Sequence, residues 1–123
     1  MNKEIVLQEI ESLVRSLDFI QEEQAFIKRK LISLLENRVM HDFIEWAEEL
    51  QLQIINRETA LKLLKGDIGI LRNKAKATKS INNIVEASLV LDYKNYKHQV
   101  VYLENEFMIW KNEVNEKFEA ALF

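Results

Sequence analysis

The chain has 123 residues, 48% of them apolar and 30% charged, with no proline, no cysteine and two glycines. This composition supplies a core for one domain spanning residues 1–123 but removes most of the punctuation that tight turns and hairpins need, so few, long elements are expected. Without cysteine there is no disulfide framework, thiolate nucleophile or sulfur-ligated zinc, and charges spread along the whole length leave no apolar run of membrane-spanning size. The opening residues Met1-Asn2-Lys3-Glu4 carry acid where a secretion signal carries base, and the expected location is cytoplasmic.

The first pattern runs Val6, Ile10, Leu13, Leu17, Ile20, Gln24, Ile27, Leu31, Leu34, at four-three spacing. Each step returns to the same side of a helix, so the spacing predicts an amphipathic helix over about 3–36 with a coiled-coil-like seam. Asn2 suits its N-terminal cap and Glu4 the positive end of its dipole. Asn37 suits the C-terminal cap. Asp42 with Glu45 reads as a capping box opening a second helix after a turn near 37–41.

The second pattern runs Phe43, Ala47, Leu50, Ile54, Arg57, Leu61, Leu64, Ile68, Leu71, Ala75. Gly66-Asp67 could stop this helix and cap a new one, giving four helices. The four-three register nevertheless passes through Leu64, Ile68 and Leu71 without a slip, which favours continuity. Lys76–Asn83 is polar. Thr78, Ser80 or Asn83 can cap a third helix, with Asn83 and Glu86 the best box. The third pattern, Leu89, Tyr93, Tyr96, Val100, Leu103, Phe107, Trp110, Val114, Phe118, carries that helix almost to Phe123. The expected fold is therefore all-α: an antiparallel bundle of three long helices with coiled-coil-like packing.

Net charge is −3, but Lys62–Lys97 holds eight basic and three acidic residues, so this stretch is +5 and the remainder −8. An up-down-up bundle makes these blocks complementary. Turns centred near 39 and 79 set residues on adjacent helices level when their numbers sum to about 78 or 158. Trp46 and Trp110 then share a layer, Lys28, Arg29 and Lys30 meet Glu48 and Glu49, and Arg72, Lys74 and Lys76 meet Glu4, Glu9 and Glu11.

No residue pattern demands a reaction, and the chain reads as non-enzymatic with no cofactor. A carboxylate di-iron bundle needs Glu-x-x-His pairs, but Arg38 and Asn95 stand where His41 and His98 would need glutamates. His41, Asp42 and Glu45 near Glu36 could still hold a cation, which keeps a carboxylate metal-binding bundle as an alternative. Lys65-Gly66 resembles the Lys-Gly of the helical phosphotransfer domains of two-component signalling. Their phosphoacceptor histidine lies three residues earlier, where this chain has Lys62, so the resemblance implies a signalling-type domain that is inactive as a phosphotransfer module. His98, beside Lys97, is a separate possible phosphoacceptor. The basic stretch with Tyr93 and Tyr96 has the ingredients of nucleic-acid binding, but the tyrosines occupy the apolar stripe, and nucleic acid is not the expected partner.

Two features remain. Gln24 and Arg57 intrude into the seams and, with His98, define a possible polar core layer; Arg57 would need Glu22, Glu23 or Glu104 as its carboxylate. Phe19 and Phe26, with Val101 and Tyr102, lie off the main seams and define a possible interface. The functional expectation is a helical interaction or scaffold protein, self-associating as a homo-oligomer, most simply a dimer, or binding another helical protein, and not a membrane.

Overall fold

The computed structural model describes residues 1–36, 41–79 and 85–122, and for residues 41, 42, 121 and 122 the backbone alone. Three helices account for nearly all of it: α1 Lys3–Glu36, α2 His41–Ala77 and α3 Ala87–Leu122. The four-three residues of the sequence are the ones buried. Every apolar member of the first two patterns except the half-buried Leu34 is in the core, as are Leu89, Tyr93, Val100, Phe107, Trp110, Val114 and Phe118 of the third. Tyr96 and Leu103 pack partly buried at its edge. The helices pack against one another as a bundle, most closely along α1 and α2.

Gly66 and Gly69 do not interrupt α2, so the four-helix alternative is not realised. Neither glycine is demanded by packing, because a Cβ added at either position meets nothing within 4 Å. The register continued through them because the seam contacts at Leu64, Ile68 and Leu71 reward helix on both sides of the pair.

Residue pairs fix the helix directions. Between α1 and α2, joined residue numbers have a constant sum: 86 for Lys28–Glu58 and Gln21–Lys65, 83 for Asp18–Lys65 and Glu11–Arg72. The two helices are antiparallel. Between α1 and α3 the difference is constant instead, 84 for Glu9–Tyr93 and 88 for Glu23–Lys111, so these two run parallel.

The α1–α2 sums exceed the expected 78, and the reason is side-chain direction. Each Cα–Cβ bond leans toward its own helix N-terminus, so α1 tips lean away from the first turn and α2 tips toward it. Tips that meet therefore belong to backbones that are not level. Where one partner is a backbone carbonyl, half the offset disappears: Lys3 Nζ donates to the carbonyls of Lys76 and Thr78, with sums of 79 and 81. Lys28 consequently pairs with Glu58 at 3.2 Å rather than with Glu48 or Glu49, while Arg72 does reach Glu11 at 3.2 Å.

Between α2 and α3 the sums are 163 for Gln53–Trp110 and 164 for Trp46–Phe118. Trp46 and Trp110 thus do not share a layer. Trp46 stacks with Phe43 and meets Phe118 edge-on at 5.5 Å, whereas Trp110 packs on Phe107 and donates its indole N–H to Gln53 at 2.8 Å. Part of this shift comes from the later start of α3. The amides of Leu89 and Val90 both donate to the Glu86 carbonyl, so Glu86 occupies the cap position that the sequence assigned to Asn83. Asn83 and Ser80, like Asn37, lie outside the described residues. Thr78 completes the preceding helix, its N–H and its hydroxyl both donating to the Lys74 carbonyl. At the start of α2, His41 is already helical, which puts Asp42 inside the helix rather than at its cap.

The N-terminal cap forms as expected, with the Glu4 amide donating to Asn2 Oδ1 at 2.7 Å. The same end is tied to the end of α2 and to the residues just before α3. Lys3 places its cation on the free carbonyls at the end of α2, where the dipole is negative, and the Val85 amide donates to the Met1 carbonyl.

Two measurements test this account. Gly66→Ala and Gly69→Ala are each expected to raise unfolding free energy by about 0.5–1 kcal/mol in urea melts, since each adds helix propensity without a clash; a loss would mean that α2 bends there. Tyr93 is buried with its hydroxyl donating to Glu9 at 2.8 Å. Burial, then the Glu9 hydrogen bond and charge, push its phenol up from 10.0 to about 12. The fold favours the protonated phenol, so this contribution is complete below pH 10 and is lost as pH climbs toward 12. Wild type should therefore lose stability relative to Tyr93→Phe across that window, and parallel curves would refute the assignment.

Candidate functional site

The three polar residues of the expected core layer occupy different surroundings. Gln24 is 2% exposed, Arg57 is half-buried and His98 is exposed. His98 faces out because Val100 faces in: two residues are about 200° of helix rotation, which puts His98 nearly opposite the buried valine. No hydrogen bond or ion pair joins the three among the described residues.

Arg57 solves its burial through α3. Its guanidinium lies over the Trp110 ring, 4.5 Å from the centroid, and donates to Glu106 Oε1 at 3.4 Å. Its partner is thus Glu106, not Glu22, Glu23 or Glu104, because the α2–α3 register brings residue 106 level with residue 57. Desolvation holds the Arg57 pKa below its ordinary value while Glu106 and Glu113 pull it back up. A guanidinium stays charged under such a shift. The result is a structural clamp between α2 and α3, with Trp110 covered on its face by Arg57 and bonded through its ring nitrogen to Gln53.

Gln24 has no such solution. Both Nε2 and Oε1 are buried without a hydrogen-bond partner. The residue lines a groove of about 840 Å³ between α1 and α2, whose walls include Lys28, Arg29, Ile32, Ile55, Lys62 and Lys65. Lys28 is paired with Glu58, and Lys65 with Asp18 and Gln21. Arg29 and Lys62 make no ion pair among the described residues. The sequence signal for this place was the glutamine itself, a polar residue in an apolar seam. Of the cations around it, Lys28 and Arg29 were expected against Glu48 and Glu49, but Lys28 pairs with Glu58 instead.

A second surface opens on the other flank of α1. A groove against α3 is lined by Ser12, Arg15, Ser16, Phe19, Glu104 and Met108 among others. Phe19 is 54% exposed, Phe26 55%, Val101 47% and Tyr102 69%. Phe19 and Met108 line this groove, and Phe26 and Val101, each seven residues away on the same helix, fall on the same stripes. Tyr102 turns instead toward α2, lining a shallow groove with Ala60, Leu64 and His98. The four expected interface residues are therefore all exposed but divide between two faces.

Tyr93, buried and bonded to Glu9, cannot stack on a base, and Tyr96 is half-buried. Among the described residues no three histidine, aspartate or glutamate side chains come together as metal ligands; the side chains of His41 and Asp42 lie outside them. No described helix is long and apolar enough to cross a membrane. Compared with protein-family models, with curated proteins and with solved structures, the chain matches none.

The burial of Gln24 gives a direct expectation. An amide buried without partners costs its desolvation, so Gln24→Leu, of similar size, should raise unfolding free energy by about 1–3 kcal/mol in urea melts. A destabilised leucine variant would mean that the amide is satisfied in solution.

Proposed function

We propose that this chain is a non-enzymatic, cytoplasmic helical interaction protein, acting as one unit over residues 1–123, whose working surface is the α1–α3 flank and whose partner is a second copy of itself. The observation that carries the reading is the exposed row Phe19 and Phe26, flanked by Val101 and Met108. Large apolar side chains gathered along one flank are a cost in water unless another surface covers them.

Charge selects the second copy. Arg15, Phe19, Glu22 and Phe26 follow one another along the outer side of α1, and Arg15 and Glu22 are exposed and make no ion pair among the described residues. If two copies cross antiparallel with Phe19 against Phe19, each Arg15 comes within one residue of level with the partner's Glu22, and the two-fold axis forms the pair twice. The same crossing centred between Phe19 and Phe26 sets Glu22 against Glu23 and Arg15 against Lys30, so the charges favour the first register.

Sedimentation equilibrium tests this. Wild type should dimerise, and Phe19→Glu should weaken the dimer at least tenfold, about 1.4 kcal/mol. Arg15→Glu should weaken it too, while Arg15→Glu combined with Glu22→Arg restores it. A wild-type monomer at millimolar concentration, or a double swap no better than the single, overturns the reading. Circular dichroism of each variant separates lost association from lost helix.

A further inference from the structure

The groove between α1 and α2 is not used by this association, and it combines three features that the fold itself does not require. The first is Gln24, whose carboxamide presents one donor nitrogen and one acceptor oxygen with nothing to meet either. The second is charge. Lys28, Arg29, Lys62 and Lys65 line the groove against a single acid, Glu58, and Arg29 and Lys62 are unpaired among the described residues. The third is an apolar end: Ile32 and Ile55 line the same groove and are about half exposed.

Their order along the groove follows from the register of the α1–α2 pairs. Residues whose numbers sum to about 86 face each other, which sets Ile32 opposite Ile55, Lys28 opposite Glu58, Ala25 opposite Lys62 and Gln21 opposite Lys65. Gln24 lies beneath Lys62. Ile32 is eight residues further along α1, about 12 Å at the helical rise. Passing along the groove toward the first turn, a ligand meets Lys65, then Lys62 and the amide, then Arg29 and last the isoleucine pair.

We propose that this groove binds a small amphipathic anion in which an amide separates a carboxylate from an acyl tail, the chemistry of an N-acylated amino acid. The ligand amide matches Gln24 in both senses, its carbonyl accepting from Nε2 and its N–H donating to Oε1. A bare carboxylate could satisfy the nitrogen alone. The carboxylate, a short step from the amide on the side away from the isoleucines, rests on Lys62. The tail runs over Ala25 to Ile32 and Ile55, covering apolar surface otherwise in water. Gln24 is 2% exposed, so access to its amide takes movement of side chains that line the groove. A volume of about 840 Å³ is within the range of small-molecule sites, roughly 300–1,000 Å³.

The test uses the full chain labelled with ¹⁵N and two probes below their micelle concentrations: N-decanoylglycine, and decanoate, which keeps tail and charge but has no amide. The expected result is amide shifts centred on residues 24–32 and 55–65, with N-decanoylglycine binding at least tenfold more tightly than decanoate. Gln24→Leu should abolish that preference, weakening N-decanoylglycine more than decanoate, and Lys62→Glu should weaken both probes. Equal affinity of wild type for the two probes, shifts centred on the Phe19–Met108 flank, or no shifts at millimolar probe overturns the proposal and leaves Gln24 with a buried water as its partner. Sedimentation of the same samples reads association separately, so failure of either proposal is distinguishable from failure of the other.

Discussion

Burial of one continuous apolar seam by three helices is the constraint on which the other features depend. A helix of some 35 residues holds its backbone hydrogen bonds internally, and what selects a bundle over three rods is the row of side chains that returns to one side every third and fourth residue. Val6, Ile10, Leu17 and Ile20 on α1, Leu50, Ile54 and Ile68 on α2, and Val100, Phe107 and Phe118 on α3 are almost fully removed from water. Once those rows close, the register is set, and with it every exposed pair. The ion pairs at the rims are consequences of the register, each worth at most about 1 kcal/mol at such exposures; their contribution lies in penalising other arrangements.

Because the seam is periodic, it was legible from residue types alone, including its passage through Gly66 and Gly69. Which residues face each other was legible only in part, as for Arg72 and Glu11. Periodicity locates a residue around a helix, whereas facing partners depend on where the turns lie and how side chains lean. The lean toward each helix N-terminus moves antiparallel contacts by several residues relative to the backbone, which is why Lys28 reaches Glu58 and why Arg57 reaches Glu106. The late start of α3 could not be read either. Asn83 with Glu86 is a better cap by side-chain chemistry, but Val85 is buried and its amide is held by Met1, and that tertiary contact outweighs the local preference.

Arg57 and Gln24 interrupt their seams in the same way in the sequence, and their fates differ because their side chains differ. Arginine is long enough to lay its apolar stem along the core, stack its plane on Trp110 and carry its charge out to Glu106. Glutamine is two bonds shorter and uncharged, so from the same kind of position its amide stops short of the surface. The buried polar layer expected from the sequence presumed that two such intrusions would find each other. The α1–α2 register does bring residues 24 and 57 to similar heights, but Arg57 turns toward α3 while Gln24 lies along the α1–α2 groove, and height without direction makes no contact.

That divergence arranges the surface of α1 into two flanks. Seen down its axis, the core seam separates the side that meets α2, where Gln24, Arg29, Ile32 and the lysines of α2 gather, from the side that meets α3, where Phe19, Phe26, Val101 and Met108 are exposed. The first flank is cationic with an apolar end, and the second is apolar with balanced charge. A surface of the second kind suits a copy of itself, because Arg15 and Glu22 complement each other across a two-fold axis. A surface of the first kind repels a copy and attracts an anion. The two proposed activities therefore do not compete for the same residues, although both are carried by one helix. Coupling between them would have to pass through the seam, whose close-packed side chains leave little freedom to transmit a change without disturbing the core.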